Sequence, residues 1–423
     1  MLVILISSCA FAYTSDRMDF GEVDFGGATV TYITHWDAFA QFREGGSRAG
    51  MIDAAKELFN IGEIEVIIGG WGEIHEIMLN RFLSGDSAYD IWRLPHAEFW
   101  GLATRGAFYP VDELLPPEYF ENLPRITKLR SAELTYQGHQ FQFSAGTDDY
   151  GHSVFMVVNK DLFEAEGLPD PYELWKNKEW TWDVISNLAR RVTRDIDGDG
   201  NIDQWGLSDV DPKNLIYSNG GAITRYDENG KVLFTMDEPA SIAALRQFHE
   251  WMYVDQVMGG DYQMNEFARG QVAMAFMPFY QIGDMTKWEF THGVLPLPMG
   301  PDVDDYVYVP GTADAFYLPA NAEQPLELVA LDNFLFPIDN YYEDLENSIA
   351  ARIADRQSYT IFQEAIEKWD AHDYYLNFLG GRWDNSKPYG NVLDEVNQGK
   401  SPATATAEVK AAAQAMIDET LDQ

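Results

Sequence analysis

From Ala28 the chain switches repeatedly between a short apolar run and a helically spaced one, and no other feature restricts its fold as much. "ATVTYITHW" (28–36) is β-branched and apolar, which predicts a strand. "GMIDAAKELFN" (50–60) has helical spacing, and "EIEVIIGG" (63–70) is a strand running into glycines. "EIHEIMLNRFLSG" (73–85) predicts a helix stopped at Gly85, "YDIWRLP" (89–95) a third strand, and "AEFWGLATRGA" (97–107) a third helix. Strand–helix alternation implies a parallel sheet with helices on both faces. Ligands of such sheets sit beyond the carboxyl ends of the strands. Those ends carry His35, Trp36 and Asp37, then Gly69, Gly70 and Trp71, then Pro95 and His96. No GxGxxG or Walker sequence accompanies the turns, which argues against a nucleotide.

A second region follows "FSAGTDDYGHSVFMVVNK" (143–160), where the apolar run "SVFMVVN" predicts that the chain crosses into a new sheet. "EWTWDVISNLARRVT" (179–193) is amphipathic, with Thr181 as N-cap and Asp183 in its first turn. "SIAALRQFHEWMYV" (241–254) predicts a helix and "FARGQVAMAFMP" (267–278) a strand after a turn. "GVLPLPMGP" (293–301) leads to "ADAFYLPANA" (313–322), a strand crossing back. The tail from about 338 is mostly helical. Trp180, Trp182 and Trp205 are assigned to packing.

A chain of 423 residues with 46% hydrophobic and 14% aromatic residues can bury a core and divide into two or three domains. Its 29 basic against 68 acidic side chains give a formal net charge of -39. Such a surface repels phosphate backbones and anionic headgroups and excludes nucleic acid as a partner. It suits a secreted protein in a salty or alkaline medium. The aromatic residues suit both a core and the apolar faces of sugar rings.

The one cysteine, Cys9, excludes an intramolecular disulfide. "MLVILI" is too short to span a bilayer and reads as the end of a signal-peptide core without a basic start. "ISSC" (6–9) resembles a bacterial lipoprotein box in which Cys9 is lipidated; cleavage after Ala10-Phe11-Ala12 is the other reading. Residues 1–12 are then a signal or lipobox remnant and 13–27 an acidic tether.

"DIDGDGNIDQWG" (195–206) places Asp195, Asp197 and Asp199 at positions 1, 3 and 5 of the calcium-loop pattern, Gly200 at 6 and Asp203 at 9. Position 12, where a bidentate Glu belongs, is Gly206. A structural Ca²⁺ tying the 179–193 helix to the next strand and a metal-free Asp/Gly turn both remain open. No cofactor for activity is expected.

Four stretches in order, "VVNKDLFEAEGL" (157–168), "KEWTWDVISNLARRVTRDIDGDGNIDQWGLS" (178–208), "EFARGQVAMAFMP" (266–278) and "GVLPLPMGP" (293–301), resemble the extracellular solute-binding proteins of bacterial ABC importers, specifically the maltodextrin-binding-like sugar binders of family 1. The resemblance covers roughly 28–335. It implies an α/β, two-lobed periplasmic-binding-protein-like fold (type II) with a ligand cleft between lobes that close by hinge motion. The expected N-terminal lobe is 28–147 plus 292–335, and the C-terminal lobe 148–291 plus 336–423. The implied function is delivery of a carbohydrate, an oligosaccharide by the aromatic count, to ABC permease subunits by a monomer. Its place is outside the cytoplasm, lipid-anchored on the outer face or periplasmic or secreted. Rings would stack on pyranose faces and carboxylates would take hydroxyl pairs. The candidates are Trp36 and Asp37, Trp71 and Glu73, His96, Asp148, Asp149 and Tyr150, Phe279 and Tyr280, Thr312 and Asp314, and Arg382 with Trp383. The alternative is a secreted glycoside hydrolase working through a carboxylate pair such as Asp148–Asp149 or Asp37 with Glu73. The sequence carries no GxSxG and no HExxH.

Overall fold

Eight strands build the two larger sheets among the described residues: in chain order β1 (Thr29–Thr34), β2 (Glu63–Ile68), β3 (Ile91–Pro95), β4 (Val154–Asn159), β5 (Trp205–Ser208), β6 (Val272–Pro278), β7 (His292–Leu295) and β8 (Asp314–Tyr317). The structure, a computed structural model, describes residues 11–70, 73–85, 89–146, 150–259, 263–283, 288–308, 314–369, 379 and 386–421. The chain divides into two units, Met1–Asp149 with Thr312–Leu345 and Tyr150–Gly311 with Glu346–Gln423.

In the first unit the strand order is β8-β3-β1-β2. β1 runs parallel to both β2 and β3, while β8 joins β3 antiparallel. Helices Met51–Leu58 and Ile74–Ser84 supply the crossovers that parallel strands require. β3 is buried along its whole length and β1 along all but its first residue, which is why both read as apolar runs rather than alternating ones. Val30, Tyr32, Ile91 and Phe316 of the sheet pack with Phe39, Phe59, Leu331 and Phe336.

The stretch expected to be an acidic tether, 13–27, is folded. Phe11–Thr14 pairs antiparallel with Asp19–Val23 in a hairpin. Phe20, Val23 and Phe25 enter the core, and the Tyr13 ring meets Phe59 edge-on at 5.1 Å. The buried Arg17 guanidinium donates to the Phe336 carbonyl at 2.7 Å. Asp16, Asp19, Glu22 and Asp24 interleave with the apolar positions and make the segment look solvated.

In the second unit the strand order is β7-β4-β6-β5, with β4 antiparallel to β6 and β7, and β5 parallel to β6. Helix Trp182–Val192 packs there through Trp182, Ile185, Leu188, Ala189 and Val192, spaced three and four apart on one face. The Thr181 side chain accepts from the Val184 amide and caps its start. Trp180 is buried, and its indole donates to the Pro296 carbonyl at 3.1 Å. Two placements differ from expectation. The 292–311 stretch belongs with the second unit, because β7 completes the ladder of β4. Residues 336–345 belong with the first, where Phe336 is core.

Candidate ligand-binding site

In the first unit, strand register brings side chains from three distant stretches of sequence together. β1 and β3 are parallel with Thr34 beside Arg93, so the residues after Thr34 emerge at the carboxyl end of β3. β8 is antiparallel with Asp314 beside Pro95, so its first residue sits at that same end. The Trp36 indole Nε1 donates to Asp314 Oδ2 at 2.7 Å. Arg93 Nε lies 3.2 Å from the same oxygen, and His35 Nε2 lies 3.5 Å from Oδ1. The Arg93 guanidinium carbon is 4.7 Å from the Trp36 ring centroid and 5.2 Å from that of Phe316. Arg93 is 3% exposed and Asp314 6%, yet Trp36 is 45% exposed. A flat apolar surface is thus held against water by a buried polar cluster.

The neighbours of this cluster divide by role. Asp37 is gripped by both terminal nitrogens of Arg43, at 2.5 and 3.0 Å. Glu73 is exposed at the start of helix Ile74–Ser84 and makes no capping bond. His96 is buried, its Nε2 3.7 Å from Glu133 Oε2. Burial first, and the Arg130 charge second, push its pKa down to about 3, so the imidazole is neutral at ordinary pH.

In the second unit the antiparallel pairing of β4 and β6 sets Tyr150, which precedes β4, beside Phe279, which follows β6. Their rings meet edge-on at 6.1 Å. Phe279 is fully buried and packs on Phe362 at 4.3 Å, so it is core. Tyr150 is buried, and its hydroxyl donates to Ser348 Oγ at 3.4 Å. Tyr280 is 37% exposed, its amide bonded to the Gly151 carbonyl and its ring 5.0 Å from His152. Cys9, Trp71, Asp148, Asp149, Thr312, Arg382 and Trp383 lie outside the described residues.

Sequence reading missed Arg93 and His152 as contributors to these clusters, and it set His35 at a strand end without counting it as a candidate. The signal for Arg93 was available: an arginine inside a fully apolar strand needs a buried anion within reach. His152 had no comparable signal.

The acidic loop joins helix Trp182–Val192 to β5. Asp195, Asp197 and Asp203 each turn one carboxylate oxygen to within 4.8 Å of the others. Asp199 instead accepts from the Asn201 amide at 2.7 Å and from its side-chain nitrogen at 3.0 Å. Backbone amides of Gly200 and Gly198 hold the Asp195 pKa below the usual carboxylate value.

The family model described as bacterial extracellular solute-binding protein matches residues 40–336. No curated protein sequence matches the chain. Among solved structures, the maltose/maltodextrin-binding domain MalE of Bdellovibrio bacteriovorus, bound to maltotriose, superposes with a TM-score of 0.66 at 17% identity over 94% of this chain and 100% of that one. The GacH receptor of Streptomyces glaucescens, solved with and without acarbose, gives 0.67 at 18% identity over 93% and 99%. UgpB of Mycobacterium tuberculosis, in complex with glycerophosphocholine, gives 0.65 at 17% over 93% and 99%. These likenesses show a mixed α/β, two-lobed solute-binding fold. The three proteins bind different ligands, so the fold alone does not choose one.

Proposed function

This chain belongs to the bacterial extracellular solute-binding protein family, and from that premise we propose that it binds a carbohydrate, an oligosaccharide, and hands it unaltered to the membrane subunits of an ABC importer. The family and the structural neighbours are binding proteins, not enzymes. The family's place is outside the cytoplasm, and among the described residues no helix is long and apolar enough to cross a membrane.

The observation that carries the reading is the exposed Trp36 face beyond the carboxyl end of β1. An indole left 45% open while its N–H is bonded to a buried carboxylate offers a flat, apolar surface. That surface matches the apolar face of a pyranose and offers no donor to a phosphate, and the Arg93 guanidinium already over the ring weakens its pull on a second cation. Tyr280 beside His152 offers a second, smaller ring surface in the other unit. The maltotriose and acarbose named for the MalE and GacH structures point to the same chemical class.

The test is equilibrium titration with a panel of malto- and other oligosaccharides, followed by recovery of the ligand. Saturable binding with intact ligand is expected. Trp36→Ala should weaken it about 10- to 100-fold, the range of a central aromatic anchor. Conversion of the ligand to shorter products would replace this reading with the hydrolase. Binding of no sugar at all would end it. Two lesser assignments go with the proposal: Cys9 as a lipid attachment point, and a Ca²⁺ held by Asp195, Asp197 and Asp203.

A further inference from the structure

We propose that Asp314 and Arg93 are positioning residues which hold Trp36 as a preset, one-sided platform, and that Asp314 does not itself take ligand hydroxyls. The inference rests on the carbohydrate reading for what the platform holds, though not for whether it is fixed.

An exposed indole on a strand-end turn is free to sample several rotamers. Here its one polar atom donates at 2.7 Å to a carboxylate that is 6% exposed. That carboxylate is fixed twice over: by its position as the first residue of β8, in register with Pro95, and by Arg93 Nε at 3.2 Å. Arg93 is fixed in turn by β3, where it stands beside Thr34. The same Oδ2 faces both the indole N–H and Arg93, and His35 lies 3.5 Å from Oδ1. The anion thus accepts the indole N–H and has Arg93 and His35 within ion-pair distance, all from the protein, which leaves it poorly placed to clamp a sugar. Arg93 also lies over the indole, 4.7 Å from the ring centroid, so one face is covered and a ligand stacks on the other. A side chain ordered before binding loses little freedom on binding, which strengthens association without any new contact.

The first experiment needs no substitution of the polar pair. In ligand-free protein labelled with ¹⁵N-tryptophan, the Trp36 indole signal is assigned by its loss in Trp36→Phe. It should lie downfield and exchange slowly with solvent although the ring is open. Exchange as fast as that of a free indole would overturn the proposal. The second is a cycle of Trp36→Phe, Asp314→Asn and the double variant, titrated with whichever sugar the wild-type chain binds. Trp36→Phe keeps a stacking ring and removes the donor. Each single variant should lose about threefold to tenfold in affinity, and the double variant no more than either. Additive losses would show that Asp314 contacts the ligand on its own account and would sink the assignment. If Asp314→Asn does not fold, the exchange measurement alone decides. If no sugar binds, the functional reading fails while the exchange result still judges the latch.

Discussion

Asp332 is a carboxylic acid sealed in the core of the first unit, with no exposed surface. Burial raises its pKa to about 7 against the opposing pull of Ser144, Arg17 and Arg93. The sign of the consequence follows from linkage. As pH climbs through the normal carboxylate range, the unfolded chain releases this proton and the folded chain keeps it until near neutrality. Stability therefore falls between about pH 4 and pH 7 and is flat above that. Asp332→Asn should remove that slope, so that the gap in melting temperature between pH 5 and pH 8 narrows by a few degrees. An unchanged gap would show that Asp332 is not the group responsible. None of this is legible in "ELVALDNFL", where an aspartate in a helix reads as a solvent-facing residue. The exposed place of Trp36 was legible, because an aromatic following an apolar strand falls at the open end of such a sheet. His96 shares that position but is buried under the helix that carries Arg130, and position along the chain does not reveal what covers a residue.

At the level of elements, the acidic loop shows why a motif can be incomplete for a structural reason. Gly206 stands where the twelfth-position Glu of a calcium loop belongs, yet it lies on β5 against helix Trp182–Val192. A Cβ at Gly206 would come within 2.5 Å of the Ala189 Cα. Completing the pattern with Gly206→Glu should thus destabilise the unit by at least about 1–3 kcal/mol, the usual cost of overpacking. A gain in calcium-dependent melting temperature in that variant would contradict the packing argument. In the wild type, chelation with EDTA should lower the melting temperature if the loop holds Ca²⁺, since a ligand of the native state stabilises it by mass action. No shift would leave the three carboxylates as a turn held by backbone amides. Element types were readable wherever one period dominated: Thr181 announced its helix, and "SVFMVVN" its buried strand. Partnership was not. β7 pairs with β4, more than a hundred residues earlier, and nothing local in "HGVL" encodes that choice. The N-terminal hairpin was missed because its acids fall between its aromatics and lower the apparent hydrophobicity of the segment.

For the molecule as a whole, the formal charge of -39 governs where the chain can dwell. A surface so acidic is repelled by anionic headgroups within a Debye length and needs salt, or a covalent tie, to stay beside them. If Cys9 carries a lipid, Cys9→Ser should release the protein from the envelope into the medium; retention of the variant on membranes would refute acylation. Overall architecture was the most legible level, because alternation of periods is a global pattern that survives local errors in boundaries. The hairpin bears on maturation as well. A peptidase cutting after Ala12 would strip the partners of Val23 and Glu22 and leave only Tyr13 with Gly21 and Thr14 with Asp19. Trimming just ahead of Cys9 spares all four rungs. The folded body thus begins two residues past the proposed acyl group, a leash of about 7 Å when drawn straight, and a protein so moored would ride flush on the lipid rather than sway above it.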